Sequence, residues 1–328
     1  MKLSTMEKIM GTVDENWRCS LAEQILQNWT YDEGSVYFYR ASANTVCVFK
    51  SDTQLRFLRF TFASEKEFTS LESEIKILLS LKDSDVKVAL PIASKAGDYI
   101  EIVETELGKV YAVVFEGLTG DHIDIEEMND EQFCNWGKTL GQLHNKFKSL
   151  PTNIADKRSS HQEQLKFVRD NLPAQEVAAF HELDFVSGWI ENLPKTNENY
   201  GLIHYDFELD NLCWNDNVAS ILDFDDCMMH WYVADIAFSL RDLFEEGYDS
   251  TNLKFLEFLK GYESETNLGH SILEDLSWFY RYHNLVTFAS LLQTVDVSQG
   301  PEKPVWLNGL IEKLENKISK YREGFGEI

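Results

Sequence analysis

The sequence predicts an α+β fold of two lobes, in which an antiparallel sheet lobe precedes a mainly helical lobe. Runs of β-branched and aromatic residues are concentrated in the first third of the chain, whereas apolar residues recur at helical spacing from residue 130 onward. Between these parts lie residues 116–120, which read EGLTG and form a polar, flexible segment. We therefore expect an N-terminal lobe over residues 1–116 and a C-terminal lobe over residues 117–328.

The N-terminal lobe is expected to hold a leading helix, a sheet of about five strands and one inserted helix. Apolar residues at helical spacing predict the two helices over residues 5–29 and 68–81. The runs that favour strands cover residues 36–38, 45–50, 54–62, 88–92, 99–103 and 110–115. Ser51 and Asp52 fall between two of these runs and predict a hairpin turn.

The C-terminal lobe is expected to be helical except around one short hairpin. Helical periodicity covers residues 130–147, 162–171, 174–192, 233–246, 253–262, 271–292 and 305–321. Strand signals are confined to residues 201–204, 212–214 and 219–223. The polar side chains between these strands should therefore lie on loops that a rigid scaffold holds in place.

Composition and charge exclude several classes of function. The chain has 328 residues, of which 44% are hydrophobic, and its formal net charge is −25. Such a surface repels nucleic acid and anionic membranes, so neither is an expected partner. We expect the protein to be a monomer or a homodimer. Solubility alone explains the charge, and a cationic substrate is the alternative. The five Cys residues are widely spaced without a C-x-x-C pair, and no apolar leader begins the chain, so we expect a cytoplasmic protein.

Residues 201–226 hold the strongest indication of chemistry. His204, Asp206 and Asn211 fit the spacing H-x-D-x-x-x-x-N, and a short apolar strand that ends in Asp223 follows. In phosphoryl transfer, one Asp orients the attacking hydroxyl and accepts its proton, while an Asn and a second Asp hold Mg²⁺ against the nucleotide phosphates. The pattern predicts Asp206 as the catalytic residue and Asn211 and Asp223 as metal ligands. An inert acidic turn is the alternative, but it does not explain why both acidic sites follow strands.

A kinase also needs a cation on a strand that reaches the phosphates and a Glu on a helix that pairs with it. Strand alternation places Arg59 on the inner face of its strand, and Glu74 on the following helix leaves the apolar neighbours free to pack. A plain surface ion pair is the alternative for these two residues. No glycine-rich loop is present, but Ser42 lies among small residues between the first two strands, and its hydroxyl can donate to a phosphate.

Several motifs occur in the order typical of the aminoglycoside phosphotransferase and choline kinase family, which the chain resembles from about residue 36 to about residue 243. They are S-x-N at Ser42, L-G-x-L-H ending at His144, the H-x-D-x-x-x-x-N loop with its D-x-D, and D-I-A beginning at Asp235. The resemblance implies a protein-kinase-like fold that binds ATP between its lobes together with Mg²⁺. It also implies that a hinge over residues 113–117 binds adenine, which makes Val113 and Phe115 candidate contacts.

The catalytic loop departs from the family pattern. Tyr205 stands where the family usually has Gly, and its ring is expected either to narrow the acceptor site or to stack on a substrate ring. Glu208 stands where protein kinases usually have Lys, and too few residues follow Asp223 for a long peptide-docking segment. We expect His204 to pack under the loop and Asp235 to brace the loop backbone from a helix N-terminus.

The acceptor is expected to be a small hydroxylated molecule. Four acids surround the predicted site: Glu208, Asp210, Asp225 and Asp226. A cationic acceptor therefore fits, such as an aminoglycoside, an amino alcohol or a hydroxy amino acid. Arg281 and Tyr282, on a later aromatic helix, are further candidates for acceptor contacts. The alternative function is a catalytically inactive kinase-like module that binds nucleotide without transfer.

Overall fold

The computed structural model describes residues 1–155, 157–244, 247–267, 273 and 275–325. Within these ranges the chain forms a sheet lobe followed by a helical lobe, which confirms the predicted fold class. None of the helices in these ranges has both the length and the apolar character needed to cross a membrane.

The N-terminal lobe is an antiparallel sheet with helices on its faces. Its helices are α1 (Leu3–Met10), α2 (Ser20–Ile25), which a 3-10 turn (Leu26–Asn28) extends, and α3 (Phe68–Leu81). Its strands are β1 (Tyr37–Ala41), β2 (Thr45–Ser51), β3 (Gln54–Phe62), β4 (Pro91–Ile92), β5 (Glu101–Thr105) and β6 (Gly108–Glu116). The strand order is β1-β2-β3-β6-β4, and β5 also pairs with β6. One sheet face, with Phe49 and Leu58, packs under α2, while Val113 packs against α3.

Helices dominate the C-terminal lobe, and two small two-stranded sheets carry its loops. The helices are α4 (Asp130–Lys148), α5 (Thr152–Ala155), α6 (His161–Asn171), α7 (Val177–Glu191), α8 (Tyr232–Ser239), α9 (Leu253–Glu263), α10 (Leu276–Thr294) and α11 (Val305–Gly324). The strands are β7 (Tyr200–Ile203), β8 (Leu212–Asn215), β9 (Val218–Ile221) and β10 (Met228–Trp231). β7 pairs with β10 and β8 pairs with β9, both antiparallel.

The pair α4 and α9 crosses at two glycines. A Cβ atom on Gly137 would lie 1.9 Å from the carbonyl oxygen of Phe258, and one on Gly261 would lie 1.7 Å from that of Cys134. No side chain fits there, so the two backbones are in direct contact. This contact orients α4, whose His144 reaches the centre of the lobe.

The leading helix expected over residues 5–29 is interrupted. α1 ends at Met10, and the chain turns before α2 begins. Asp14 Oδ1 accepts hydrogen bonds from the backbone N–H groups of Asn16 and Arg18 at 2.8 and 2.9 Å. A short polar side chain that satisfies nearby backbone in this way competes with the helix, so helical periodicity alone gave the wrong result.

Other elements also differ from the sequence prediction. Of the strand expected over residues 88–92, only Pro91–Ile92 pairs within the sheet. The helix expected over residues 233–246 ends at Ser239, whose Oγ donates back to the carbonyl oxygen of Asp235 at 2.6 Å, and a 3-10 turn (Arg241–Phe244) follows. Residues 245–246, and residues 271, 272 and 274 of another expected helix, lie outside the described residues. The short helix α5 and the strand β10 were not predicted.

The first and last helices meet at the side of the molecule. Leu3 of α1 packs against Leu307 and Ile311 of α11. Further along α1, Ile9 belongs to the apolar cluster under the sheet, and further along α11, Ile318 belongs to the core of the helical lobe. The two lobes are thus joined at a place away from the connection after β6.

Candidate active site

The predicted catalytic residue lies on the loop that follows β7. Asp206 Oδ2 accepts a hydrogen bond from Asn211 Nδ2 at 2.8 Å, and the same amide donates to the backbone carbonyl of Asp206 at 3.0 Å. The backbone carbonyl of Asn211 in turn accepts from the N–H of Leu222 at 2.8 Å, which joins this loop to the segment after β9. One oxygen of Asp206 is therefore fixed, and the carboxylate is held in one orientation.

A fully buried carboxylate holds the backbone of this loop. Asp235, in the first turn of α8, accepts from the N–H of His204 at 2.8 Å and from that of Tyr205 at 2.7 Å. Its Oδ2 also lies 3.0 Å from His144 Nε2, and His144 Nδ1 lies 2.8 Å from the hydroxyl of Tyr262. Burial lowers the pKa of His144 although Asp235 opposes the shift, so the imidazole stays neutral and donates to Asp235. The sequence analysis predicted that Asp235 supports the backbone of this loop, and these hydrogen bonds are the contacts that its carboxylate makes.

His204 packs beneath the loop. Its ring lies against Phe207 and Phe224, and its Nε2 donates to the carbonyl oxygen of Leu222 at 3.1 Å. Burial lowers the pKa of His204, with Asp235 opposing the shift. A neutral ring whose donor nitrogen faces a carbonyl is suited to support of the loop rather than to proton transfer.

Tyr205 adopts a left-handed backbone conformation with φ of 73°. Glycine adopts this conformation at little cost, whereas another residue costs about 1 kcal/mol or more. The ring of Tyr205 packs against Phe238 and His283, with centroids 5.1 and 6.1 Å away. The side chain is therefore engaged within the helical lobe, and these contacts offset the backbone cost.

Asp223 lies opposite two arginines of the sheet lobe. Its Oδ1 is 3.0 Å from Arg59, and its Oδ2 is 3.6 Å from Arg40. Arg59 also pairs with Glu74 of α3 at 2.6 Å, so the structure brings together the predicted strand cation and helix Glu. Burial opposes the charge of Arg59, but Glu74, Asp225 and Asp223 outweigh it and raise its pKa. Burial also raises the pKa of Glu74, whose Oε1 has no hydrogen-bond partner among the described residues.

A cleft between the lobes connects these groups. It holds about 740 Å³ including its open mouth. Its walls are mainly apolar and include Val46, Phe57, Leu78, Ala89, Phe115, Leu222 and Phe224. Phe115 lies at the end of β6, and its ring is 4.9 Å from the guanidinium carbon of Arg59. Polar groups at the cleft include Arg40, Arg59, Glu74, Glu116, His122, Asp210 and Asp223.

Two predicted nucleotide contacts do not line this cleft. The side chain of Val113 is fully buried against α3, because the strand face that carries it is covered by that helix. Ser42 is exposed in the turn between β1 and β2, where its N–H donates to the carbonyl oxygen of Asn44 at 3.0 Å. The structure brings Arg59, Glu74 and Phe115 to the cleft, but not these two side chains.

Asp225 joins the lobes and does not face an acceptor. It is 6% exposed, and it accepts from Asn44 Nδ2 at 2.9 Å and pairs with Lys66 at 2.7 Å. Burial alone would raise the pKa of Asp225, but Arg59, Lys66 and these bonds hold it well below its usual range. Both oxygens of Asp225 are thus bound by the sheet lobe, and its expected contact with an acceptor stays a prediction that this geometry does not support.

Asp226 is exposed to solvent beside the reactive loop. No hydrogen bond or ion pair reaches its carboxylate among the described residues. The surrounding protein, and then the charge of Asp225, raise the pKa of Asp226 to about 7. Because Asp226 is exposed, solvent water screens the neighbouring charges and reduces this shift of its pKa. Asp226 remains a carboxylate available to an acceptor.

Arg241, which the sequence did not indicate, lies between two of the predicted acids. It is 3.5 Å from Asp206 Oδ1 and in contact with Glu208 Oε2. Glu208 is thus already paired, while Asp210 lies at the nucleotide cleft. The helix candidates are engaged as well: Arg281 pairs with Glu182 at 2.6 Å, and Tyr282 is fully buried.

Asn211 and Asp223 supply donors that suit Mg²⁺. The amide nitrogen of Asn211 is used by Asp206, so its oxygen is the atom left to bind a cation, and Asp223 adds a carboxylate. Both are hard oxygen donors. The described residues contain no cluster of three or more His, Cys, Asp or Glu side chains placed to hold a metal. Two protein oxygen ligands suit Mg²⁺ that is bound together with the nucleotide, because phosphate oxygens and water would supply its remaining ligands.

Comparisons with known proteins give relatives in sequence and in fold. The chain is 27% identical over 310 residues to amicoumacin kinase of Bacillus subtilis (strain 168), covering 90% of this chain and 92% of that protein. The solved complex of amicoumacin kinase hAmiN with AMP-PNP, Ca²⁺ and Ami superposes with a TM-score of 0.79 at 20% identity, covering 97% and 95% of the two chains. A microcompartment-associated aminopropanol kinase superposes with a TM-score of 0.70 at 20% identity, covering 93% and 94%.

A protein-family model matches more than half of the chain. The model described as the phosphotransferase enzyme family (APH) matches residues 41–265, a span that includes most of the cleft, the loop that carries Asp206, Asp223 and Asp235. The chain therefore belongs to the phosphotransferase enzyme family and is a small-molecule kinase of protein-kinase-like fold.

Proposed function

We propose that the protein transfers the terminal phosphoryl group of ATP to a hydroxyl of a small amine-bearing molecule. The observation that supports this proposal is the arrangement of the two carboxylate oxygens of Asp206. Asn211 holds Oδ2, and Oδ1, on a side chain that is 33% exposed, is 3.5 Å from Arg241, its ion-pair partner among the described residues. Oδ1 is the atom that orients the acceptor hydroxyl and accepts its proton.

The cleft residues position the nucleotide. Phe115, Phe57 and Leu222 supply apolar walls for a base, and Arg59 supplies a fixed charge towards the phosphates. Asn211 and Asp223 would hold Mg²⁺, which when bound neutralises phosphate charge. Most of the rate enhancement would then come from positioning and charge stabilisation rather than from strong base chemistry.

The acceptor side favours an amine, but through fewer acids than the sequence suggested. Asp225 is committed to Asn44 and Lys66, and Glu208 is paired with Arg241. Asp226 is the exposed carboxylate that remains beside Asp206. An ammonium group bound by Asp226 would hold a neighbouring hydroxyl near Asp206 Oδ1. The relatives support acceptors of this kind, since they include amicoumacin kinase and an aminopropanol kinase.

A screen of ATP consumption with amicoumacin, aminopropanol, spectinomycin and homoserine tests the function. We expect turnover with at least one amine-bearing acceptor. Asp206→Asn should abolish transfer and leave ATP binding within a few-fold, because Asp206 acts on the acceptor. Asp223→Ala should remove the Mg²⁺ dependence of nucleotide binding. Normal turnover by Asp206→Asn would contradict the assignment.

The amine contact has a separate test. Asp226→Asn should raise the KM of a cationic acceptor by about tenfold, through loss of one partly desolvated charge pair, and leave the KM of ATP unchanged. Asp216→Asn, at an exposed position in the β8–β9 turn, is the matched control. A best acceptor that is neutral or anionic would refute the amine contact and leave the kinase assignment intact.

A further inference from the structure

A bulge in β1 turns two consecutive side chains towards the cleft. Phe38 pairs with Cys47 and Arg40 pairs with Val46, so the register shifts at Tyr39. Successive side chains of a regular strand point to opposite faces, but Tyr39 and Arg40 both line the cleft. Bulges that redirect side chains are common beside active sites.

The charge of Arg40 is less committed than that of Arg59. Arg59 is 6% exposed and bound at 2.6 Å to Glu74 and at 3.0 Å to Asp223. The side chain of Arg40 is 40% exposed, and its ion-pair partner within the described ranges is Asp223, at 3.6 Å. That distance is too long for a good hydrogen bond. Arg40 therefore keeps its donors available at the position where phosphates would approach Asp223.

The turn between β1 and β2 has no other group suited to this task. It contains no glycine, so its backbone has no easy access to the conformations that make a phosphate-binding loop. Ser42 is exposed outside the cleft, and the amide of Asn44 is used by Asp225. The bond from Asn44 to Asp225 does fix the turn above the cleft, which gives Arg40 a rigid base.

We propose that Arg40 is a nucleotide-binding residue that contacts the β- and γ-phosphates with its guanidinium group. It takes the role that backbone N–H groups have in a glycine-rich loop. The inference rests on the proposed function, since it assumes that a nucleoside triphosphate occupies the cleft. A guanidinium offers paired N–H donors to phosphate oxygens, and Arg59 alone is already balanced by Glu74.

Calorimetric binding of Mg²⁺–AMP-PNP and of AMP tests the proposal without turnover. The variants are Arg40→Gln, Arg40→Lys and the control Arg56→Gln, which removes the same charge from β3 at a position outside the cleft. We expect Arg40→Gln to weaken AMP-PNP binding by about tenfold or more and to leave AMP binding within about twofold. Arg40→Lys should fall between wild type and Arg40→Gln, and Arg56→Gln should bind as wild type does.

The other outcomes overturn the proposal in distinguishable ways. Wild-type affinity of Arg40→Gln for AMP-PNP would overturn the role of Arg40 and leave the proposed function standing. Equal losses for AMP and AMP-PNP, or an equal loss in Arg56→Gln, would assign the effect to folding or to general charge and also overturn it. Failure of the wild-type protein to bind Mg²⁺–AMP-PNP would overturn the proposed function and this inference together.

Discussion

Replacement of Asp235 is expected to disrupt both the stability and the activity of the protein. The carboxylate is fully buried and accepts three hydrogen bonds, from His204, Tyr205 and His144, at 2.7 to 3.0 Å. Asp235→Ala leaves these three donors without their acceptor in the core. Since bonds to a charged group contribute about 1.5–3 kcal/mol each and some relaxation occurs, we expect a loss of roughly 4 kcal/mol.

The same bonds hold Tyr205 in its left-handed conformation, so their loss should also release the reactive loop. Displacement of Asp206 by about 1 Å is expected to lower kcat by about 100-fold. Asp235→Asn keeps the shape but turns an NH₂ group towards one backbone N–H, so it should lose roughly half as much stability. This milder variant keeps the test available if Asp235→Ala does not fold.

Guanidinium chloride unfolding at neutral pH measures the loss of stability, and kcat at saturating substrate measures the loop. Asp216→Asn is the control, and it should change the unfolding free energy by less than about 0.5 kcal/mol. A change below about 1 kcal/mol for Asp235→Ala, with normal kcat, would show that these hydrogen bonds do not hold the loop.

Two further predictions concern stability. Gly137→Ala should lower the unfolding free energy by about 2 kcal/mol or more in thermal or chemical unfolding, because its Cβ would collide with the backbone of α9. The control Gly188→Ala, whose Cβ would meet no atom within 4 Å, should be neutral or slightly stabilising. Equal effects of the two substitutions would refute the close contact. The pKa of His161 is lowered to about 4 by burial and by Lys195, so the unfolded chain binds the extra proton between pH 6.5 and 4. The contribution of neutral His161 to the unfolding free energy is complete above pH 6.5, and an amount on the order of 3 kcal/mol is lost as the pH falls to 4. His161→Asn should therefore reduce the difference between the unfolding midpoints at pH 7 and pH 4.5.

Short-range patterns of the sequence predicted the parts of the site that depend on local spacing. Four site residues lie on the short segments that follow β7 and flank the β8–β9 hairpin: His204, Asp206, Asn211 and Asp223. Their order along the chain therefore already reflects their positions in space. The pair of Arg59 and Glu74 followed from strand alternation and helix packing, both of which are periodic.

Features that depend on long-range packing were not predictable in this way. The bond from Asn44 to Asp225 spans 181 residues, and no periodicity indicates that Asp225 turns away from the acceptor. The bulge that redirects Arg40 is a shift in pairing register, which the residues of β1 do not reveal. Arg241 reaches Glu208 because α8 ends early, and the sequence predicted a longer helix there.

The contact between the first and last helices has a consequence for lobe motion. A kinase whose lobes are joined by one segment is free to open, twist and slide about that segment. Here α1 and α11 form a further attachment, supported by the ion pair of Lys303 with Glu7 at 2.8 Å. Together with the contacts that Asp223 and Asp225 make to the sheet lobe, this attachment holds the lobes at several separate places. We therefore expect loss of α1 to widen the range of movement of the sheet lobe against the helical lobe.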